Sequence, residues 1–160
     1  MQVPGRKFLH VTGVLYIIFG IFNFIAISGI NFARPFLTSF FNDSQMQELI
    51  SQHRPDIDQA LLYEAVTALD AVIPHLIILG AFYIFMGVMG IKHRSNYGKA
   101  AFLMVLGGVA AGEVILRNFI QGSISFGIII SLIIPACYIF GAYKNKEASA
   151  IEQGSSDNNE

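Results

Sequence analysis

The 160-residue chain is 54% hydrophobic and only 13% charged, with a mean hydropathy of +0.56, whereas a soluble domain carries about 25% charged residues. A formal net charge of −1 argues against a nucleic-acid partner, which would call for a basic surface. The single cysteine, Cys137, excludes an internal disulfide and any multi-cysteine metal site.

Four apolar runs follow in chain order: Phe8–Ile30, Ala71–Ile91, Ala100–Leu116 (extending through Arg117 to Ile120) and Ile124–Tyr143. About 20 apolar residues span a hydrocarbon core of about 30 Å. Inside lipid every backbone polar group must be satisfied within the segment, so four membrane-spanning helices are expected. The fold class is an all-α integral membrane protein, a four-transmembrane-helix bundle with a helical extracytoplasmic segment, residues 31–70, between helices 1 and 2. Residues 1–146 form the membrane domain, with helices over about 8–30, 71–91, 100–120 and 124–143. Arg6 and Lys7 precede the first run as in a signal peptide, but the run is too long, contains His10 and Asn23, and lacks a small-x-small cleavage site. It is read as a retained helix.

Between the first two runs, residues 31–70 carry two arginines against six acids, a formal charge of −4. Ser44-Gln-Met-Gln47 matches a capping box, and Met46, Leu49 and Ile50 follow at helical spacing. Pro55 with Asp56 and Asp58 reads as a second helix start. Its stripe, Ile57, Leu61, Ala65, Leu69 and Val72, leads into the second span. Pro74 removes one backbone donor, so a kink is expected between Asp70 and His75. Asn42-Asp-Ser44 matches a glycosylation acceptor triplet. Residues 147–160 are polar and are expected to be a disordered cytoplasmic tail.

Lysine and arginine set the orientation. Seven of them (Arg6, Lys7, Lys92, Arg94, Lys99, Lys144 and Lys146) lie on the side of both termini, and Arg34, Arg54 and Arg117 lie on the other. By the positive-inside rule the protein is a multi-pass cell-membrane protein with both termini cytoplasmic and residues 31–70 outside.

The run "AAGEVILRNF" places Glu113 inside the third helix and Arg117 one turn further out on the same face. A lone charge at mid-membrane costs about 3 kcal/mol on insertion scales. Glu113 is therefore expected to face the interior and to pair with Arg117. Asn23, Asp70, His75, Glu113 and Arg117 form a candidate intramembrane polar cluster in the outer leaflet. The expected role is a hydrogen-bonded network that fixes packing; the alternative is a site for a cation, a proton or a headgroup. Gly108 and Gly112 form a candidate helix-packing face, expected to serve contact within the bundle, with a dimer seam as the alternative. Tyr16-Ile-Ile-Phe-Gly20, Tyr83-Ile-Phe-Met-Gly87 and Tyr138-Ile-Phe-Gly141 echo one another. Chance recurrence among membrane helices is the expected reason, and a duplicated hairpin the alternative.

No catalytic, cofactor-binding or metal-ligating constellation stands out: His53 and Asp56 lack further ligands, and no phosphate loop, dinucleotide, zinc-protease or nucleophile-elbow motif is present. The function expected is that of a non-enzymatic accessory or regulatory membrane factor. The alternative is a small transporter or channel working through Glu113, and a membrane enzyme comes third. Expected partners are the lipid bilayer and either further copies of the chain or a larger membrane protein, with no nucleic acid.

Overall fold

A computed structural model describes residues 5–53, 59–120, 122 and 126–157, and these are almost entirely helical. The helices are α1 (Arg6–Asn42), α2 (Ser44–His53), α3 (Gln59–Lys92), α4 (Ala100–Ile120) and α5 (Phe126–Asp157), with one 3-10 turn at Tyr97–Lys99 leading into α4. Four stretches are long and apolar enough to cross a membrane: Arg6–Phe40, Val66–Lys92, Tyr97–Ile120 and Gly127–Ala148. Only 22–33% of their apolar windows is buried by the protein itself, so most of that surface suits lipid. These four candidate spans point to a membrane protein.

Several expected boundaries shift. α1 does not stop at Ile30 but continues through Pro35 to Asn42. Phe32, Phe36 and Leu37 keep the run apolar there, and Phe36 and Phe40, one turn apart, stack with ring centroids 6.5 Å apart. α5 runs past Glu147 to Asp157, so the tail expected to be disordered is helical that far. Glu147, Ala148, Ala150, Glu152 and Gln153 favour helix in its first part, and Lys144 Nζ bonds Glu147 at 2.7 Å one turn on. α3 is one helix through Pro74. Its expected start at Pro55 lies outside the described residues. On its expected stripe Leu69 is half-buried and Val72 is exposed, while Val66 is the buried residue.

The helix ends show their chemistry. Asp43, rather than Ser44, caps α2: its carboxylate accepts from the Gln45 N–H at 2.9 Å and its carbonyl from the Gln47 N–H at 3.0 Å. Gly122 closes α4 with φ 63°, a left-handed conformation that glycine adopts without strain, and its N–H reaches the Phe119 carbonyl at 3.2 Å.

The chain divides into two compact units, residues 1–18 with 83–160, and residues 19–82. In the first, α4 packs along α5, and glycines set the closest helix approaches. A Cβ on Gly13 would lie 2.9 Å from the Gly87 carbonyl oxygen, and one on Gly107 would lie 2.5 Å from Ile139 Cγ1. Lipid tails are as apolar as leucine, so close packing at small residues and polar contacts carry the association of membrane helices. The core of this unit holds Leu9, Tyr16, Met86, Leu103 and Tyr138. In the second unit Gly80 packs against Gly20, Asn23 and Phe24 of α1, and Ile27, Val66 and Leu79 are buried.

Candidate functional site

The polar centre of the first unit is built on the three echoed tyrosines. Tyr16 of α1, Tyr83 of α3 and Tyr138 of α5 meet side by side, with Tyr16 5.3 Å from Tyr83 and 5.7 Å from Tyr138 between ring centroids. The Tyr16–Tyr138 pair is edge-to-face at 84°, the arrangement that the ring quadrupoles favour. Gly90 makes room for the Tyr138 ring, since a Cβ there would lie 2.7 Å from its Cε2. The Tyr138 hydroxyl donates to the Met86 carbonyl at 3.0 Å, which satisfies a fully buried side chain.

Tyr83 carries this cluster to Glu113. Its hydroxyl donates to Glu113 Oε2 at 3.0 Å, from α3 across to α4. Arg117 Nε lies 3.7 Å from Glu113 Oε1, an ion pair one helical turn apart but too long for a hydrogen bond. The Glu113 side chain is 17% exposed and that of Arg117 is 39% exposed. The carboxylate is thus turned inward while the guanidinium reaches outward, as a snorkelling arginine does. Two buried polar atoms have no hydrogen-bond partner among the described residues: Glu113 Oε1 and the Tyr16 hydroxyl.

Of the five residues singled out in the sequence, Glu113 and Arg117 are brought together in the first unit. The other three lie in the second unit. There Asp70 pairs with Arg34 at 2.6 Å, a partner that spacing did not reveal because 36 residues separate the two. Asn23 turns its amide back to the Phe19 carbonyl of its own helix at 2.8 Å. His75 is exposed, immediately after Pro74. Among the described residues nothing lies within 4 Å of where a Cβ would sit on Gly108 or Gly112, so the contact expected of them within the chain is not seen. Gly107, next to Gly108 but turned by about 100°, is the packing glycine of α4.

A second polar knot was missed in the sequence. Asn145 of α5 is fully buried. Its Oδ1 accepts from the Gly5 N–H at 3.0 Å, and its Nδ2 donates to the Arg94 carbonyl at 2.9 Å. One amide thereby ties the start of α1, the α3–α4 turn and α5. Arg94 also donates to His10 Nδ1 at 2.9 Å. Guanidinium only donates, so that imidazole nitrogen is unprotonated. Among the described residues no group of three or more His, Cys, Asp or Glu side chains could hold a metal ion.

No family model, no curated protein and no solved structure matches the chain. The site is therefore read from its own chemistry.

Proposed function

We propose that this is a small multi-pass membrane protein that acts by side-to-side association within the bilayer, as an accessory or regulatory factor. Both termini are cytoplasmic and residues 31–70 are outside, on the seven-to-three split of lysine and arginine. The observation that carries the reading is the outer face of α4. Gly108 and Gly112 sit open one turn apart, flanked by Val105 and Val109, which are 64% and 53% exposed. The glycines that pack the first unit are, by contrast, in close contact with neighbouring helices. Open glycines at this spacing let another helix backbone approach closely.

The test is the size of the protein purified in mild detergent. The native chain should run as an assembly, with itself or with a larger membrane protein. Gly108→Ile with Gly112→Ile should release a single chain of unchanged unfolding temperature. A native chain that is already single, or an assembly that survives both substitutions, would overturn the reading.

A second reading rests on Glu113 Oε1 and the Tyr16 hydroxyl, buried atoms with no hydrogen bond among the described residues. Such groups are rarely left unsatisfied, and ionisable residues inside a membrane mark ion or proton pathways. In that reading the protein is a small transporter or channel with Glu113 as its cation or proton site. Glu113→Gln should then abolish cation- or pH-dependent flux in vesicles while leaving the fold intact; unchanged flux would dismiss it.

A further inference from the structure

Near the N-terminus of α1 an open groove of about 400 Å³ runs between α1 and α5. Phe8, Val11 and Leu15 form one wall, and Ile133, Ile134 and Cys137 form the other. Thr12 also lines it, but its hydroxyl is used at 2.7 Å by the Phe8 carbonyl. The walls therefore offer hydrocarbon and one thiol. Lys7 stands at the terminal end of the groove, exposed and with no ion-pair partner among the described residues.

We propose that this groove holds one acyl chain of an anionic phospholipid, with the Lys7 ammonium meeting the lipid phosphate. Three observations favour this occupant. The walls lie on two membrane-spanning helices, where the surrounding solvent is acyl chain. The groove extends from Lys7 to Leu15, about 12 Å at helical rise, within the roughly 15 Å depth of one leaflet. The charge lies at the end nearest the helix terminus, where a phosphate sits when its chain enters the core. A protein helix would need a polar partner for Lys7 and small residues for close approach, and the walls present bulky Phe8, Ile133 and Ile134 instead.

Cys137 is the only cysteine of the chain and lines the groove, so it reports occupancy without a substitution. The full-length protein is placed in phosphatidylcholine nanodiscs containing increasing phosphatidylglycerol, and labelling of Cys137 by the neutral reagent N-ethylmaleimide is timed. Labelling should slow as the anionic fraction rises. In Lys7→Gln the anionic fraction giving half-protection should rise about fivefold, the effect of one interfacial basic residue, and Lys7→Arg should behave as the native chain. Glycerol phosphate, which has the headgroup chemistry but no chain, should give no protection. A cysteine at exposed Val88 in a Cys137→Ala background should label at a rate independent of phosphatidylglycerol. The proposal is overturned by any of four results: labelling indifferent to phosphatidylglycerol, a Lys7→Gln response identical to native, protection by glycerol phosphate alone, or equal slowing at position 88.

Discussion

Adjacent glycines on α4 give the sharpest test of the packing. A Cβ on Gly107 would lie 2.5 Å from Ile139 Cγ1 and 3.2 Å from Tyr138 Cδ1. Carbon atoms rest at about 3.5–4.0 Å, so Gly107→Ala demands roughly 1 Å of relief. Ile139 is β-branched and stiff at χ1, and Tyr138 is pinned through its hydroxyl to Met86, so α4 and α5 must move apart. Overpacking of this kind costs about 1–3 kcal/mol. Gly108→Ala meets open space and gains helix propensity, about 0.5–1 kcal/mol in favour of the fold of the single chain. The two variants should differ by roughly 1.5–4 kcal/mol in reversible unfolding measured in bicelles, with Gly107→Ala the weaker. Equal stabilities, or Gly108→Ala the weaker in a monomeric preparation, would refute the placement of α4 against α5.

The remaining predictions address the polar contacts and the topology. Asn145→Ala leaves the buried Gly5 N–H without a protein partner and removes the donor to the Arg94 carbonyl, so unfolding stability should fall by about 1–3 kcal/mol, while Asn145→Asp keeps only the acceptor and should fall between. If Glu113 is structural, Glu113→Gln should be mild, because its amide still accepts from Tyr83, and Glu113→Leu should be worse, because it strands Arg117; thermal unfolding of both variants orders them. Arg34→Ala and Asp70→Ala break a pair that is 45% and 46% exposed, so each should change stability by less than about 1 kcal/mol, and a double-mutant cycle should return a small coupling. In a Cys137→Ala background, an impermeant thiol reagent applied to intact cells should label Gln52→Cys and not Ser95→Cys; the reverse pattern would invert the topology.

The four apolar spans were legible because hydropathy and length report directly on lipid as solvent. α4, bounded by a 3-10 turn and Gly122, matches its expected ends of Ala100 and Ile120. The ends of α1 and α5 were not legible: α1 continues past Ile30 and through Pro35 on further apolar residues, Phe32, Phe36 and Leu37, and α5 continues past its apolar run into a polar sequence. The Glu113–Arg117 pair could be read because it is local, at one helical turn. Tyr83, Asn145 and the Arg34–Asp70 pair could not, because their partners are set by which helices become neighbours, and nothing in a helix's own spacing encodes that. Tyr16, Tyr83 and Tyr138, whose motifs read as a chance echo, meet in one ring cluster. The expected contact of Gly108 and Gly112 with neighbouring helices of the chain is not seen, and Gly107 meets Ile139 and Tyr138 instead. Gly107 and Gly108 are chemically identical, and one step along a helix turns a residue by about 100°.

Association through the open face of α4 is tested most directly by cysteine cross-linking in native membranes. In a Cys137→Ala background, Gly108→Cys places a thiol on the proposed seam, and Val88→Cys places one on an exposed position of a different helix, α3. With a short bis-maleimide, position 108 should give a discrete higher-mass adduct and position 88 should give none. No adduct at 108, or equal adducts at both positions, would contradict it.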